Sequence, residues 1–194
     1  MNSLLEKKNQ IIAETIEALK KGQIILYPTD TIWGIGCDAT NSKAVDKIYK
    51  IKKRPNKKKA IILVSDEEML LEYIEYIPPT ALDLIQSVRN PISVIYPEAK
   101  NLPSNVISED KSIGIRVVRH NFCKEIIKGL GKPIISTSAN ISGNPTPKFY
   151  YEINKVIFDS VDYIVDRMME ETVVVKPSTI VKFNKNNEFE IIRK

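Results

Sequence analysis

Apolar residues recur along this chain at two different spacings, and the alternation between them predicts helices and strands in turn. Ile12, Ile16 and Leu19 fall three or four apart, as on one helix face, and Gly22 follows where a helix end favours a left-handed residue. "QIILY" is then a short buried strand. "NSKAVDKIYKIKKR" reads as a helix capped by Ser42 that buries Val45, Ile48 and Tyr49, and "AIILVS" is the next strand. Ser65 and Glu68 stand at capping-box spacing ahead of "MLLEYI". Pro78 and Pro79 separate that helix from "TALDLIQSV", where Thr80 and Asp83 repeat the spacing. "ISVIY" and "SIGIRVV" are strands, "NFCKEIIKGLG" a helix, and "KPIISTSAN" a strand running into a polar loop. A last helix is expected over "KFYYEINKVIFDSV", followed by the strands "YIVD", "STIVKF" and "EFEIIRK", the latter two joined by the turn "NKNN". No repeat, low-complexity tract or linker interrupts the pattern. The expectation is one α/β domain over residues 1–194, with the final hairpin making its sheet mixed rather than parallel.

Composition narrows the class. Hydrophobic residues make up 43% and charged residues 27% of 194, the balance of a soluble globular chain. No apolar run approaches the roughly 20 residues of a membrane span. "MNSLLEKKNQ" has no signal-peptide pattern, so a cytoplasmic location is expected. Two distant cysteines, Cys37 and Cys123, and one histidine, His120, argue against a zinc cluster or any other protein-built metal site. Cys123 reads as a small buried hydrophobe and His120 as a loop or helix-cap residue rather than a general base. Lysine and arginine total 29 against 24 acidic residues, a net charge of +5. That suits nucleotides or RNA, and is also common in proteins that bind neither.

Chemistry concentrates in a few polar stretches. "YPTDTIWGIGCDAT" contains Gly34, Gly36 and Ala39 in a G-x-G-x-x-A pattern, but Pro28 ends the strand six residues before the first glycine. A dinucleotide site needs its glycines in the turn directly after the strand. No G-x-x-x-x-G-K-[ST] is present. "KIKKRPNKKK" gathers Lys52, Lys53, Arg54 and Lys57–Lys59. Such a run is ordinarily a solvated face, yet Pro55 ends the helix and makes Arg54 part of a fixed cationic corner suited to polyphosphate. "STSANISGNPTP" offers Ser136, Thr137, Ser138, Asn140 and Ser142 at a strand end, either as an anion site or as a hydrogen-bonded turn. "KPSTI" adds Ser178 and Thr179. Arg116, inside the apolar run "SIGIRVV", needs a partner if buried; a carboxylate ligand or Asp30 would serve.

Taken together, "YPTDTIWGIGCDA", "KIYKIKKRP", "SIGIRVV", "PIISTSANISG" and "PSTIV" resemble, in order and spacing, the YrdC-type threonylcarbamoyl-AMP synthase family, over about Gln23 to Val181. The resemblance implies a YrdC-like α/β fold: a twisted mixed sheet flanked by helices, with a basic concave face. It implies synthesis of threonylcarbamoyl-adenylate from L-threonine, bicarbonate and ATP, with magnesium carried by the nucleotide and pyrophosphate released. A downstream tRNA threonylcarbamoyl-transferase complex would consume the product, and any tRNA binding by this chain itself would be weak and salt-sensitive.

Carried over by position, the family's K-x-R pair falls on Lys52 and Arg54, the catalytic and phosphate-binding candidates, and its S-x-N pair on Ser138 and Asn140, facing ATP. Arg193 corresponds to a nucleotide-contacting arginine. Thr29, Thr31, Arg116, Thr137 and Ser178 would surround threonine. Lys52 and Arg54 are expected to be exposed, so that their truncation leaves folding nearly unchanged. Trp33 stands at a usual tyrosine, Lys59 at a usual proline or glycine, and "DRMME" at a usual glycine-rich turn. The chain ends at Lys194 without the further domain of longer relatives, as expected of the short form. Two other readings stay open: an RNA-binding module without catalysis, and a carbamoyl-adenylate enzyme starting from carbamoyl phosphate.

Overall fold

The computed structural model describes residues 2–53, 60–171 and 177–194. Helix α1 (Asn2–Lys20) leads through Gly22, at φ +69°, into β1 (Ile25–Tyr27). The opening motif then folds as a hairpin, because its glycines form a strand, β2 (Gly34–Gly36), antiparallel to β1. Helix α2 (Ser42–Ile51), β3 (Ile61–Val64), α3 (Glu67–Leu71) and α4 (Pro79–Ser87) follow. Next come β4 (Ile92–Tyr96), β5 (Ile113–Val117), α5 (Asn121–Leu130) and β6 (Ile134–Ser138). A 3-10 turn at Tyr150–Glu152, α6 (Lys155–Phe158), β7 (Tyr163–Ile164), a second 3-10 turn at Arg167–Met169, β8 (Thr179–Phe183) and β9 (Phe189–Arg193) complete the chain.

The strands form one mixed sheet in the order β7-β1-β2-β6-β3-β5-β4-β8-β9. Strand β3 is parallel to β5 and antiparallel to β6, while β8 is parallel to β4 and antiparallel to β9. The mixed sheet and final hairpin are as the sequence predicts. On one face α5 packs against β3 and α1 against α5, so closely that a side chain on Gly129 would meet Ile16 at 2.3 Å. Helices α3 and α4 cover β3, β5 and β4, and the core of Ile62, Val64, Ile113, Ile115 and Ile135 lies on the face away from the cavity. The opposite face carries a cavity whose lining, among the described residues, comes from strands and loops. No helix among the described residues is long and apolar enough to cross a membrane.

Several local expectations are corrected. The cap of α2 is Asn41, whose side chain accepts from Ala44 N, not Ser42. Asp66, not Ser65, caps α3, accepting from Met69 N at 2.9 Å; Ser65 supports it by donating to the same carboxylate. Helix α4 starts on Pro78 and Pro79 with no side-chain cap, so Thr80 and Asp83 form none. The single helix expected over 148–161 is two short pieces. Glu152 bonds back to Lys148 N and Phe149 N, while Asn154 caps α6 at Val156 N. Local side-chain bonds to backbone have outcompeted helix propagation between them.

Gly36 is required by packing, not by a ligand. A β-carbon there would sit 2.5 Å from the Ile135 carbonyl oxygen and 2.8 Å from the Tyr27 ring. Gly36→Ala is therefore expected to destabilise the protein by about 2 kcal/mol or more, read by urea unfolding, because a buried strand and a fully buried ring would both have to shift. Wild-type stability would show that β6 and the Tyr27 ring both give way at little cost.

Candidate active site

The loop from Pro28 to Trp33 joins β1 to β2 and turns back on its own hydroxyls. Thr29 Oγ1 donates to the Ile32 carbonyl at 2.8 Å and accepts from Thr31 N at 3.1 Å. Its proton being committed, the 2.9 Å contact with Thr31 Oγ1 runs from Thr31 to Thr29. Thr31 Oγ1 in turn receives a long 3.5 Å bond from Arg116 Nη1. A polarised chain thus links the guanidinium to the loop. Arg116 is buried in β5 and pairs with Asp30 at 3.1 Å, side-chain exposures 6% and 10%, so its partner is the carboxylate inside the same loop. Its Nε has no hydrogen-bond partner among the described residues. Behind this end lie Cys123, buried and donating to the Pro28 carbonyl at 3.3 Å, and His120, buried at the start of α5. Burial pushes the Cys123 thiol up and the His120 imidazole down.

A second arginine stands across the cavity. Arg193 on β9 donates through Nη2 and Nε to the Ser178 carbonyl at 2.8 and 3.1 Å, and Ser178 Oγ lies 2.8 Å from Ser93 Oγ on β4. Burial, and then the like charge of Arg116, lower the Arg193 pKa. Arg116 has Asp30 to offset its charge, whereas the bonds of Arg193 go to neutral oxygens. The cavity therefore favours an anionic guest. Arg193, expected at the nucleotide, is thus bonded to Ser178, expected at threonine. It stands five strand positions from β6, which carries Ser138, so the two nucleotide candidates bracket the site rather than adjoin.

At the β6 end the structure corrects the expectation for Lys52. Its side chain is buried, 2% exposed, and its ammonium donates to Ser138 O at 2.6 Å, Asn140 O at 2.7 Å and Asn140 Oδ1 at 3.1 Å. Its own carbonyl accepts from Ser142 N at 2.8 Å. Ser138 Oγ donates to Asn140 Oδ1 at 2.6 Å, which completes the tie between the end of α2 and the S-x-N loop. Helix α2 stops at this point because Lys53 turns the chain at φ +49°. Arg54, with Pro55 and the lysines to Lys59, lies outside the described residues. Thr137 and Ser138 line the cavity beside Gly34, and Trp33 walls it. The cavity volume is about 620 Å³, within the range of small-ligand sites.

A family model described as "Telomere recombination", for Sua5, YciO and YrdC proteins, matches residues 17–194. The chain belongs to the Sua5/YciO/YrdC family. A threonylcarbamoyl-AMP synthase of Pseudoalteromonas translucida is 36% identical over 172 residues, 87% of this chain and 91% of that protein. Among solved structures, Pyrococcus abyssi Sua5, "P. abyssi Sua5 complexed with L-threonine", superposes with a TM-score of 0.82 at 25% identity, covering 91% of this chain. The chain spans 51% of that longer protein. Escherichia coli YciO, with a TM-score of 0.81 at 24% identity over 96% of this chain and 89% of its own, shares the fold. The YrdC-type fold and the family resemblance of the five motifs are thereby borne out.

The cavity of this Sua5/YciO/YrdC member also contains residues the sequence reading did not single out. Ser108, Asp110, Ser112 and Lys182 line a polar end, where Asp110 accepts from Ser112 Oγ at 2.5 Å and Lys182 at 3.0 Å. "SEDKS" carries no motif of its own, and Lys182 belongs to a strand 72 residues away, so no local signal joined them. Hydrogen bonds from Ser112, then from Lys182, lower the Asp110 carboxyl from 3.8 to about 2. A depressed carboxylate stabilises the fold above its unfolded pKa and stops doing so as pH falls through the folded one. Wild type and Asp110→Asn are therefore expected to differ in urea midpoint above about pH 4 and to converge toward pH 2. The gap should be small and salt-sensitive, since the pair is exposed.

Proposed function

We propose that this chain joins L-threonine, bicarbonate and ATP into L-threonylcarbamoyl-adenylate, releasing pyrophosphate, as the first step of a tRNA modification. The observation that carries this reading is the match to a threonylcarbamoyl-AMP synthase along nearly the full length of both chains. The cavity supports it. Two hydroxyls and a buried guanidinium with an unfilled Nε donor suit the amino acid's polar groups. Ser138 and Arg193 line the cavity, the S-x-N loop being held by Lys52, and in this reading Ser138, Asn140 and Arg54 remain the phosphate-side candidates. The amine of threonine adds to carbon dioxide from bicarbonate, the carbamate oxygen attacks the α-phosphorus, and pyrophosphate leaves with magnesium as part of the nucleotide substrate. Such chemistry asks the protein for alignment and charge neutralisation more than for proton transfer, which fits a chain with one histidine.

The test incubates the pure protein with ATP, threonine and bicarbonate and looks for the adenylate by mass spectrometry. Pyrophosphate release is expected to need threonine and bicarbonate together. Release that ignores threonine, or that responds only to carbamoyl phosphate, would favour a carbamoyl-adenylate enzyme instead. No release, with tight RNA binding that survives raised salt, would favour an RNA-binding module. Transfer of the product to tRNA belongs in this reading to a separate partner complex in the cytoplasm.

A further inference from the structure

Trp33 occupies a junction. Its carbonyl accepts from Ala139 N at 3.1 Å, beside the S-x-N loop, and its chain continues from the Thr29–Thr31 hydroxyls. Trp33 lines the cavity, and its indole Nε1 donates to Glu170 Oε1 at 2.7 Å, across 137 residues of sequence. The same carboxylate oxygen takes an ion pair from Arg167 at 3.5 Å. The Arg167 guanidinium lies 5.0 Å over the Tyr150 ring, and Tyr150 packs edge-on against Trp33 at 4.8 Å. The turn bearing Glu170 is itself fixed. Asp166 caps it at Met168 N and pairs with Lys7, and Met169 is buried in the core. An indole N–H is a donor with no alternative acceptor role, so burying it without Glu170 would leave it unsatisfied. Two departures from the family pattern, the tryptophan and the "DRMME" turn, thus meet each other in space.

We propose that Glu170 is a positioning residue: through its bond to the indole it fixes Trp33 as the wall between the threonine hydroxyl cluster and the S-x-N loop, and so sets the fit of the amino acid's side chain. Its amino-acid arm rests on the synthase reading. Glutamate is not needed for its charge here. Glutamine keeps the accepting oxygen, whereas alanine removes it and opens the wall.

The experiment uses the full-length chain as wild type, Glu170→Gln and Glu170→Ala, each first shown to be folded by thermal unfolding. Trp33 is the single tryptophan of the chain, so its emission reports this wall alone. Without substrates, acrylamide quenching is expected to rise about twofold in Glu170→Ala and to stay near wild type in Glu170→Gln, since one buried hydrogen bond holds the ring. With substrates, threonine is expected to bind roughly tenfold more weakly to Glu170→Ala, the threonine-over-serine preference to narrow, ATP affinity to move less than about twofold, and Glu170→Gln to recover most of the loss. Unchanged quenching in Glu170→Ala overturns the proposal, as does equal weakening of threonine and ATP, or a glutamine variant as impaired as alanine. If the wild type binds no threonine, the synthase reading fails, and the quenching comparison still decides whether Glu170 holds the wall.

Discussion

Lys52→Ala is expected to lower stability by about 3 kcal/mol, a fall of roughly 6–12 °C in Tm, and to cost at least about thirtyfold in adenylate formation. The reason is where its ammonium goes. Three oxygens of Ser138 and Asn140 accept from it in a buried site, and truncation leaves them facing a void. Lys52→Met, which keeps the apolar stem, should recover part of the stability but little activity, because the S-x-N loop still lacks its tie. Neighbouring Lys53→Ala should stay within about 0.5 kcal/mol of wild type, since that side chain is exposed. Thermal unfolding beside adenylate formation separates the outcomes. A Lys52→Ala protein that melts like wild type yet makes no adenylate would return Lys52 to the role of an exposed phosphate contact.

Arg116→Ala carries the second large effect, and it is a double one. The variant leaves Asp30 buried and uncompensated, which is expected to cost about 3–5 kcal/mol of stability, and it removes the guanidinium from the threonine end of the cavity. The two losses separate by a double-mutant cycle with Asp30→Ala. Removing both charges should restore more than half of the stability, because neither is then left unpaired in the interior. Threonine binding should stay lost in the double variant, by roughly a hundredfold or more, while ATP affinity moves far less. Calorimetric titration of each variant reads this out. Recovery of threonine binding along with stability would make Arg116 structural only.

Much of the fold can be read in the chain because its signals are local. Alternating periodicities placed the helices and strands, and Gly22 and Gly131 mark the ends of α1 and α5 in left-handed conformations. The errors are equally physical. A cap one residue away from its neighbour, Asn41 for Ser42 or Asp66 for Ser65, depends on which side chain reaches the free N–H, and both types can. The G-x-G-x-x-A pattern gave no sign that Gly34–Gly36 form a strand, since that follows from pairing with β1 and β6, which no local pattern announces. In the site, motif order brought Thr29, Thr31, Arg116, Thr137, Ser138 and Ser178 to one cavity. The burial of Lys52 was not legible, since a lysine run looks solvated until the carbonyls it meets, 86 and 88 residues on, are folded beside it. The Trp33–Glu170 and Asp110–Lys182 contacts were hidden for the same reason.

The strand order has a consequence for the birth of the protein. Strand β7 closes one edge of the sheet, and the chain then travels seven strand positions, roughly 33 Å, to lay down β8 and β9 at the other. During synthesis the middle of the sheet can assemble early, but Ser178 and Arg193 are made after most of the other residues that line the cavity. A nascent chain would hold Thr29, Thr31 and Arg116 in place while one wall of the cavity was still missing, with β4 exposed as an unpaired edge. Competence then arrives abruptly, with the β8–β9 hairpin, and a chain stalled before that hairpin would be both inert and prone to stick to its own kind.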